Sequence, residues 1–399
     1  MAWRNLWRNT RRTVVTCLAI GLGLAAMVFV TGWARGINSH IINAATRSGM
    51  GMAQIHAQGY LATGDVEIFM RDYRPVLEAA QKRAGIKAAS PRVLGEGLLS
   101  IGGRSSYLRL TGILPELEGK VTDWPERMAE GAFLKGPGTI VLGQGLARNL
   151  EVEVGSKLVL TVADIFTGEM KYRLVRVAGV ISSENPQMDK RSAIMNLGEL
   201  AEDMGLSQGA HEIALLLDAD PRDRGALVDI LAGLHAPGLE VSEWQAISPL
   251  LARMSDIQAF FMSIVLGVVF FLISFGIVNT MSMALLERFR EFGIMRALGT
   301  SPGRLSALII AEAAWLGVVG CSGGLAIGLS LVYYLSVHGI FLGGVEVMNM
   351  AFKTPIYPVF HWPSIALVTL AFLVLTPIAS LAVAFRAARV NPIEALRSE

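Results

Sequence analysis

Four apolar stretches, each long enough to cross a bilayer as a helix, constrain this chain more than any other feature. A hydrocarbon core about 30 Å thick takes about 20 residues of helix. The stretch 13–34 carries no charged residue and is bracketed by Arg12 and Arg35; 260–286 stops at Glu287. The third, 305–337, is interrupted only by Glu312, and the fourth, 363–385, stops at Arg386. Composition agrees, with 52% of residues hydrophobic and 17% charged, against about 25% charged in soluble domains. The first stretch exceeds the apolar region of a cleaved leader, and no A-x-A site follows it, so it reads as a signal anchor. Cys17 and Cys321 lie inside apolar runs, where they act as small hydrophobes rather than a disulfide framework.

Arginine placement orients the spans. Arg4, Arg8, Arg11 and Arg12 precede the first, Arg288, Arg290, Arg296 and Arg304 fill the loop 287–304, and Arg386, Arg389 and Arg397 lie in the tail 386–399. The connection 338–362 has only Lys353. Short basic segments stay in the cytoplasm, which puts both termini there and the segment 35–259 outside. In 1–12, Trp3 and Trp7 are one turn apart beside Arg4 and Arg8, the pattern of a helix lying in the membrane interface. Asn391-Pro392-Ile393-Glu394 reads as the start of a short terminal helix.

The external segment is predicted to be an α+β domain of two lobes, inserted into a four-helix membrane protein. Strand-like runs are 52–57, 106–111, 139–142, 157–162, 171–181 and 212–217. Helical patterns cover 74–84, 144–150, 197–204 and 222–234.

Motifs for catalysis are missing from this sequence. No G-x-x-x-x-G-K-[ST] run is present to cradle phosphates, and no H-E-x-x-H, C-x-x-C or G-x-S-x-G occurs. The six histidines are scattered without ligand spacing. A non-catalytic subunit without a metal or cofactor of its own is expected, and the net charge of +2 gives no argument for nucleic acid.

The informative segment is Glu287-Arg288-Phe289-Arg290-Glu291-Phe292-Gly293-Ile294-Met295-Arg296-Ala297-Leu298-Gly299. Phe289, Phe292, Met295 and Leu298 recur every three residues, which predicts a short helix with one apolar side. Lipid would cover that side, and so would a protein partner that also reads the charged rim. Gly299 suits the position after a helix end, and Ser301-Pro302 the start of the next helix. Glu312, inside the third span near its cytoplasmic end, is expected either to snorkel to the interface or to pair with an arginine. Asn279, inside the second, is expected to hydrogen-bond between helices.

That loop with Asn279 and Glu312, the opening Trp3-Arg4-Asn5-Leu6-Trp7-Arg8-Asn9 and the ending 386–397 resemble FtsX/MacB-type ABC permeases. Val141-Leu142-Gly143-Gln144-Gly145-Leu146-Ala147-Arg148 resembles the periplasmic core of that family. The resemblance implies two paired permeases, a second copy or a paralogue, above separate cytoplasmic ATPase subunits that bind ATP and magnesium. The loop would be the coupling helix, and motion rather than a pore would carry the work. Four spans and the domain size look most like the lipoprotein-releasing LolC/LolE type of bacterial inner membranes, which implies lipoprotein cargo and a periplasmic carrier. The strand connection 162–170 is short for the hook that engages such a carrier. MacB-like export of peptides or amphiphiles, and FtsX-like signalling to a cell-wall hydrolase, are the alternatives.

Overall fold

A computed structural model describes residues 10–183, 186–341, 346–347, 350–351 and 355–388. The expected interfacial helix with Trp3, Arg4, Trp7 and Arg8, and the expected terminal helix at 391–394, lie outside the described residues. The chain divides into a membrane unit (Met1–Asn38, Ser255–Ile340, Ile356–Glu399) and a second unit (Ser39–Met254, Phe341–Pro355).

Four helices of the described chain are long and apolar enough to cross a membrane. They are α1 (Thr10–Ala45), α2 (Pro249–Glu287), α4 (Pro302–His338) and α5 (Trp362–Ala388), with the short α3 (Phe289–Ala297) between α2 and α4. Each long helix outlasts its apolar stretch, because the helix ends where its last carbonyls find partners rather than where lipid ends. Lipid offers no hydrophobic drive for helices to associate, so small residues and close backbone approach hold them. α1 and α4 meet this way: a Cβ on Gly324 would lie 2.5 Å from the Gly21 oxygen, and one on Gly328 would lie 3.1 Å from the Ala25 Cα. Phe270 of α2 and Phe372 of α5 stack edge-on at 4.9 Å. α2 is the least covered helix, with Phe260, Phe271, Leu272 and Phe275 exposed along it.

The second unit is built on β1 (Ala53–Ala57), β2 (Ile86–Ile101), β3 (Arg104–Ile113), β4 (Met128–Gly131), β5 (Thr139–Gly143), β6 (Lys157–Ala163), β7 (Met170–Ile181), β8 (Ser192–Asn196), β9 (Glu212–Leu217) and β10 (Leu239–Glu243). The order is β10-β1-β9-β2-β3-β8-β5-β7-β4, and β6 pairs with both β2 and β7. β2, β3, β8, β5, β7 and β6 therefore close into a barrel, which leaves no open edge among those strands. Pairing is antiparallel except for β3 with β8 and β5 with β7. Leu99, Leu108, Leu142, Leu160, Val175 and Met195 belong to one buried core, while Leu98, Tyr107, Val159 and Leu174 alternate outward and are exposed.

Two lobes were expected, but the unit is one compact body. The reason is β2: its first half pairs with β9, outside the barrel, and its second half pairs with β6, inside it. Sequence pattern missed this strand because Pro91, Gly95 and Gly97 interrupt the alternation.

The β6–β7 connection does not form a hook. Asp164 Oδ1 accepts from the Phe166 and Thr167 amides at 3.0 and 3.1 Å, and Oδ2 accepts from Lys171 Nζ at 2.9 Å. The Ile165 amide donates to the Met204 carbonyl at 3.2 Å, and Phe166 stacks edge-on with Phe69 at 6.1 Å. The turn is folded down onto its own domain.

Gly324→Leu should cost about 1–3 kcal/mol or more, because backbone rather than a flexible side chain fills the space. Gly323, with nothing within 4 Å of its Cβ position, should accept leucine. Thermal melting of the two variants in mild detergent checks the contrast. Hydrogen bonds from Lys171 first, then from the Thr167 and Phe166 amides, hold the Asp164 carboxyl down at about 2. A depressed carboxylate stabilises the fold above its unfolded pKa and loses that contribution as pH falls through its folded pKa. Melting temperature should therefore fall more steeply between about pH 4 and pH 2 in the wild type than in Asp164→Asn.

Candidate coupling site between the second and third spans

α2 stops at Glu287 because Arg288 leaves helical geometry, with φ −111° and ψ 15°, and α3 starts at Phe289. The guanidinium of Arg288 organises this corner. Its Nη1 donates to both Glu312 oxygens, at 3.0 and 3.3 Å, and its Nε donates to Glu291 at 3.1 Å. It also lies 5.1 Å over the Phe292 ring. The Arg288 and Glu312 side chains are only 13% and 8% exposed. A carboxylate buried this far needs a close, hydrogen-bonded cation. The acid of α4 thus fixes the entry to α3, the helix just before it in the chain.

The far end of α3 is fixed as well. The Thr300 amide donates to the Met295 carbonyl at 3.0 Å and the Gly299 amide to Arg296 at 3.1 Å, the paired bonds of a Schellman end with Gly299 at φ 90°. Arg296 Nη1 donates to the Thr300 carbonyl, and the Ser301 side chain accepts from the Arg304 amide at 3.4 Å to open α4. Both ends of α3 are pinned by specific bonds.

The apolar side differs from expectation. Phe292 is buried in the membrane unit's core with Leu285, Leu305 and Ile309, and Met295 packs partly against it. Gly293 is buried too. Leu298, expected on the same side, is 81% exposed, and Ile294 is 43% exposed. A three-residue step falls about 60° short of a full turn in a helix of 3.6 residues per turn, so three steps rotate the stripe to the opposite side. Arg290, Ala297 and Gly299 are exposed beside Ile294 and Leu298. The free surface is therefore Arg290, Ile294, Ala297 and Leu298, while Glu291 and Arg296 serve the local structure.

The sequence allowed Glu312 an arginine partner but could not choose one; the structure selects Arg288. Asn279 lies on the exposed side of α2, and among the described residues no hydrogen bond joins it to another helix, contrary to expectation. The sequence also missed a buried cluster in the second unit, where Arg92 meets Glu118 and Glu212. Charges scattered across three elements carry no local signal. Among the described residues no group of His, Cys, Asp or Glu side chains is placed to hold a metal ion.

Two families match this chain: residues 13–230 match the MacB-like periplasmic core domain and residues 263–392 the FtsX-like permease C-terminal domain. The lipoprotein-releasing system transmembrane protein LolC of Neisseria meningitidis is 27% identical, over 97% of this chain and 94% of that protein. LolE of Haemophilus influenzae is 25% identical, over 100% of this chain and 98% of that protein. The macrolide export ATP-binding/permease protein MacB of Hyphomonas neptunium is 25% identical over 100% of this chain, which spans 60% of that protein.

Glu312→Ala should lower stability by about 3 kcal/mol by stranding Arg288, while Arg288→Met with Glu312→Leu should recover most of the loss. Thermal melting of the purified chain in detergent reads both; equal losses in the two variants would show that the pairing does not matter.

Proposed function

The chain belongs to the permeases that join a MacB-like periplasmic core domain to an FtsX-like C-terminal domain, and from that membership we propose that it is the membrane subunit of an ABC transporter that releases lipoproteins from the bacterial inner membrane. The observation that carries this reading is end-to-end similarity to LolC and LolE. The second unit then lies in the periplasm, with both termini and α3 in the cytoplasm. ATP and magnesium bind a separate ATPase subunit, which docks on the exposed Arg290, Ile294, Ala297 and Leu298. Its closure drives α3, whose ends are fixed, and the spans carry the movement outward.

A second permease, a copy or a paralogue, completes the membrane part. The exposed aromatic length of α2 and the outward Asn279 support this, since a polar side chain on a membrane helix gains most from a neighbouring helix. Lipid covers what remains. A periplasmic carrier receives the cargo, but the folded-down 164–169 turn offers no hook for it, so docking of the carrier falls to other surfaces. Export in the manner of MacB is the second reading, favoured by the similarity to the MacB relative along the whole of this chain.

Leu298→Asp with Ile294→Asp should abolish co-purification of the ATPase while leaving membrane insertion and melting temperature unchanged, because both side chains are already exposed. Retained association would reject the docking surface. In proteoliposomes holding the complete transporter, ATP should release an acylated lipoprotein to the external medium. Release of small amphiphiles without lipoprotein would favour the second reading.

A further inference from the structure

α1 does not end in water. It passes into the segment Thr46–Met50, which belongs to the second unit and in which Gly49 takes φ 141°, and the carbonyls of that segment all find donors within the same unit. The Thr46 carbonyl accepts from the Gly51 amide at 2.7 Å. The Arg47 carbonyl accepts from the Asp123 amide at 3.2 Å, and the Ser48 carbonyl accepts from Trp124 Nε1 at 2.9 Å. The Gly49 carbonyl accepts from Arg92 Nη1, and the Met50 carbonyl accepts from Gln54 Nε2 at 2.7 Å. A side chain at position 49 would meet the Trp124 ring at 3.0 Å. Helix ends ordinarily leave such carbonyls to solvent or to local caps. Here four donors from β1, β2 and the segment 123–124 take them.

Arg92 is the hub. It is 2% exposed on β2, and its Nε and Nη2 grip both oxygens of Glu118, which is wholly buried, at 3.1 and 2.7 Å. Its Nη1 reaches Glu212 of β9 at 2.8 Å, and its guanidinium lies 5.5 Å from the Trp124 ring centre. Burial opposes the charge on Arg92, and the two carboxylates outweigh it and raise its pKa. Such a buried ionic cluster is poor value as a source of stability, since apolar side chains of similar volume do as well or better. What it supplies is direction: a planar fork with fixed acceptors admits one orientation. A positive group at the negative end of α1 is also favoured by the helix dipole.

We infer that Arg92, held by Glu118 and Glu212, is a positioning residue for energy transmission: it locks the outer end of α1 to β2 and β9, so that whatever displaces that end of the helix displaces the sheet as one body. This rests on the proposed ATP-driven release, and names the joint through which the movement reaches the domain that handles cargo.

The test replaces the cluster with apolar side chains of similar size, Arg92→Met, Glu118→Met and Glu212→Met together, so that neither the guanidinium nor a carboxylate is left without its partner; buried His56, 3.8 Å from Glu212, is a polar neighbour that loses a contact. In the reconstituted transporter, assembly and ATP hydrolysis should persist, while lipoprotein released per ATP falls by about tenfold, within the range known for coupling mutations. A purely structural cluster would lower the amount of assembled transporter and leave that ratio unchanged, and an unchanged ratio overturns the inference. Should the triple variant fail to assemble, Trp124→Phe removes only the donor to Ser48. A ratio lowered roughly twofold or more supports the joint, and an unaltered one refutes it. A readout independent of transport uses spin labels at Asn43→Cys and Lys87→Cys in the full chain in nanodiscs, with Cys17 and Cys321 changed to alanine. The triple variant should broaden the distance distribution between them, and the same narrow distribution in both would sink the proposal. If the wild type releases no lipoprotein, the proposed function fails and the distance distribution alone decides the joint.

Discussion

The governing constraint is that a membrane helix must satisfy its backbone somewhere, and the bilayer offers no partner. Within a span the helix does this internally. At each end four groups are left over, and the structure is organised by where they go. α3 closes on itself through Thr300 and Gly299. The segment Thr46–Met50 that follows α1 instead gives its carbonyls to donors elsewhere in the second unit, with Arg92 among them. The first arrangement ends α3 by bonds local to its own loop; the second ends Thr46–Met50 by bonds to residues far along the chain.

Both places use a buried arginine in the same way. Arg288 binds a carboxylate on another helix and lies over an aromatic ring, and Arg92 does so with two carboxylates and Trp124. In neither case is the ion pair a strong source of stability. Each ties together residues distant in the chain: Arg288 to Glu312 of α4 in one, Arg92 of β2 to Glu118 and Glu212 in the other. Buried charge is placed at these two corners, where a planar guanidinium with fixed acceptors admits one orientation.

Other differences between expectation and structure share a cause. The three-residue apolar spacing of α3 led to one covered side, but Leu298 had rotated away by its last step. The strand β2 went unseen because its proline and glycines break the alternation, although it is the strand that joins barrel to extension. Asn279 was expected to hydrogen-bond between helices, and it lies on the exposed side of α2. Local pattern reports which residues avoid water. It does not report which of several apolar or lipid-facing surfaces a given residue meets.

The sequence by itself determined the four spans, the α+β character of the inserted domain and the position of the loop with its terminal Gly299 and Ser301. These follow from hydropathy, charge and backbone preference, all of which act over a few residues. Only the tertiary structure decided that Arg288 rather than another loop arginine holds Glu312, that six strands close into a barrel through β2, and that Arg92 caps the segment that follows α1. Those depend on pairings between residues from 24 to 120 apart in the chain, which one sequence cannot specify because many equally charged partners are available until the fold brings one within hydrogen-bond reach.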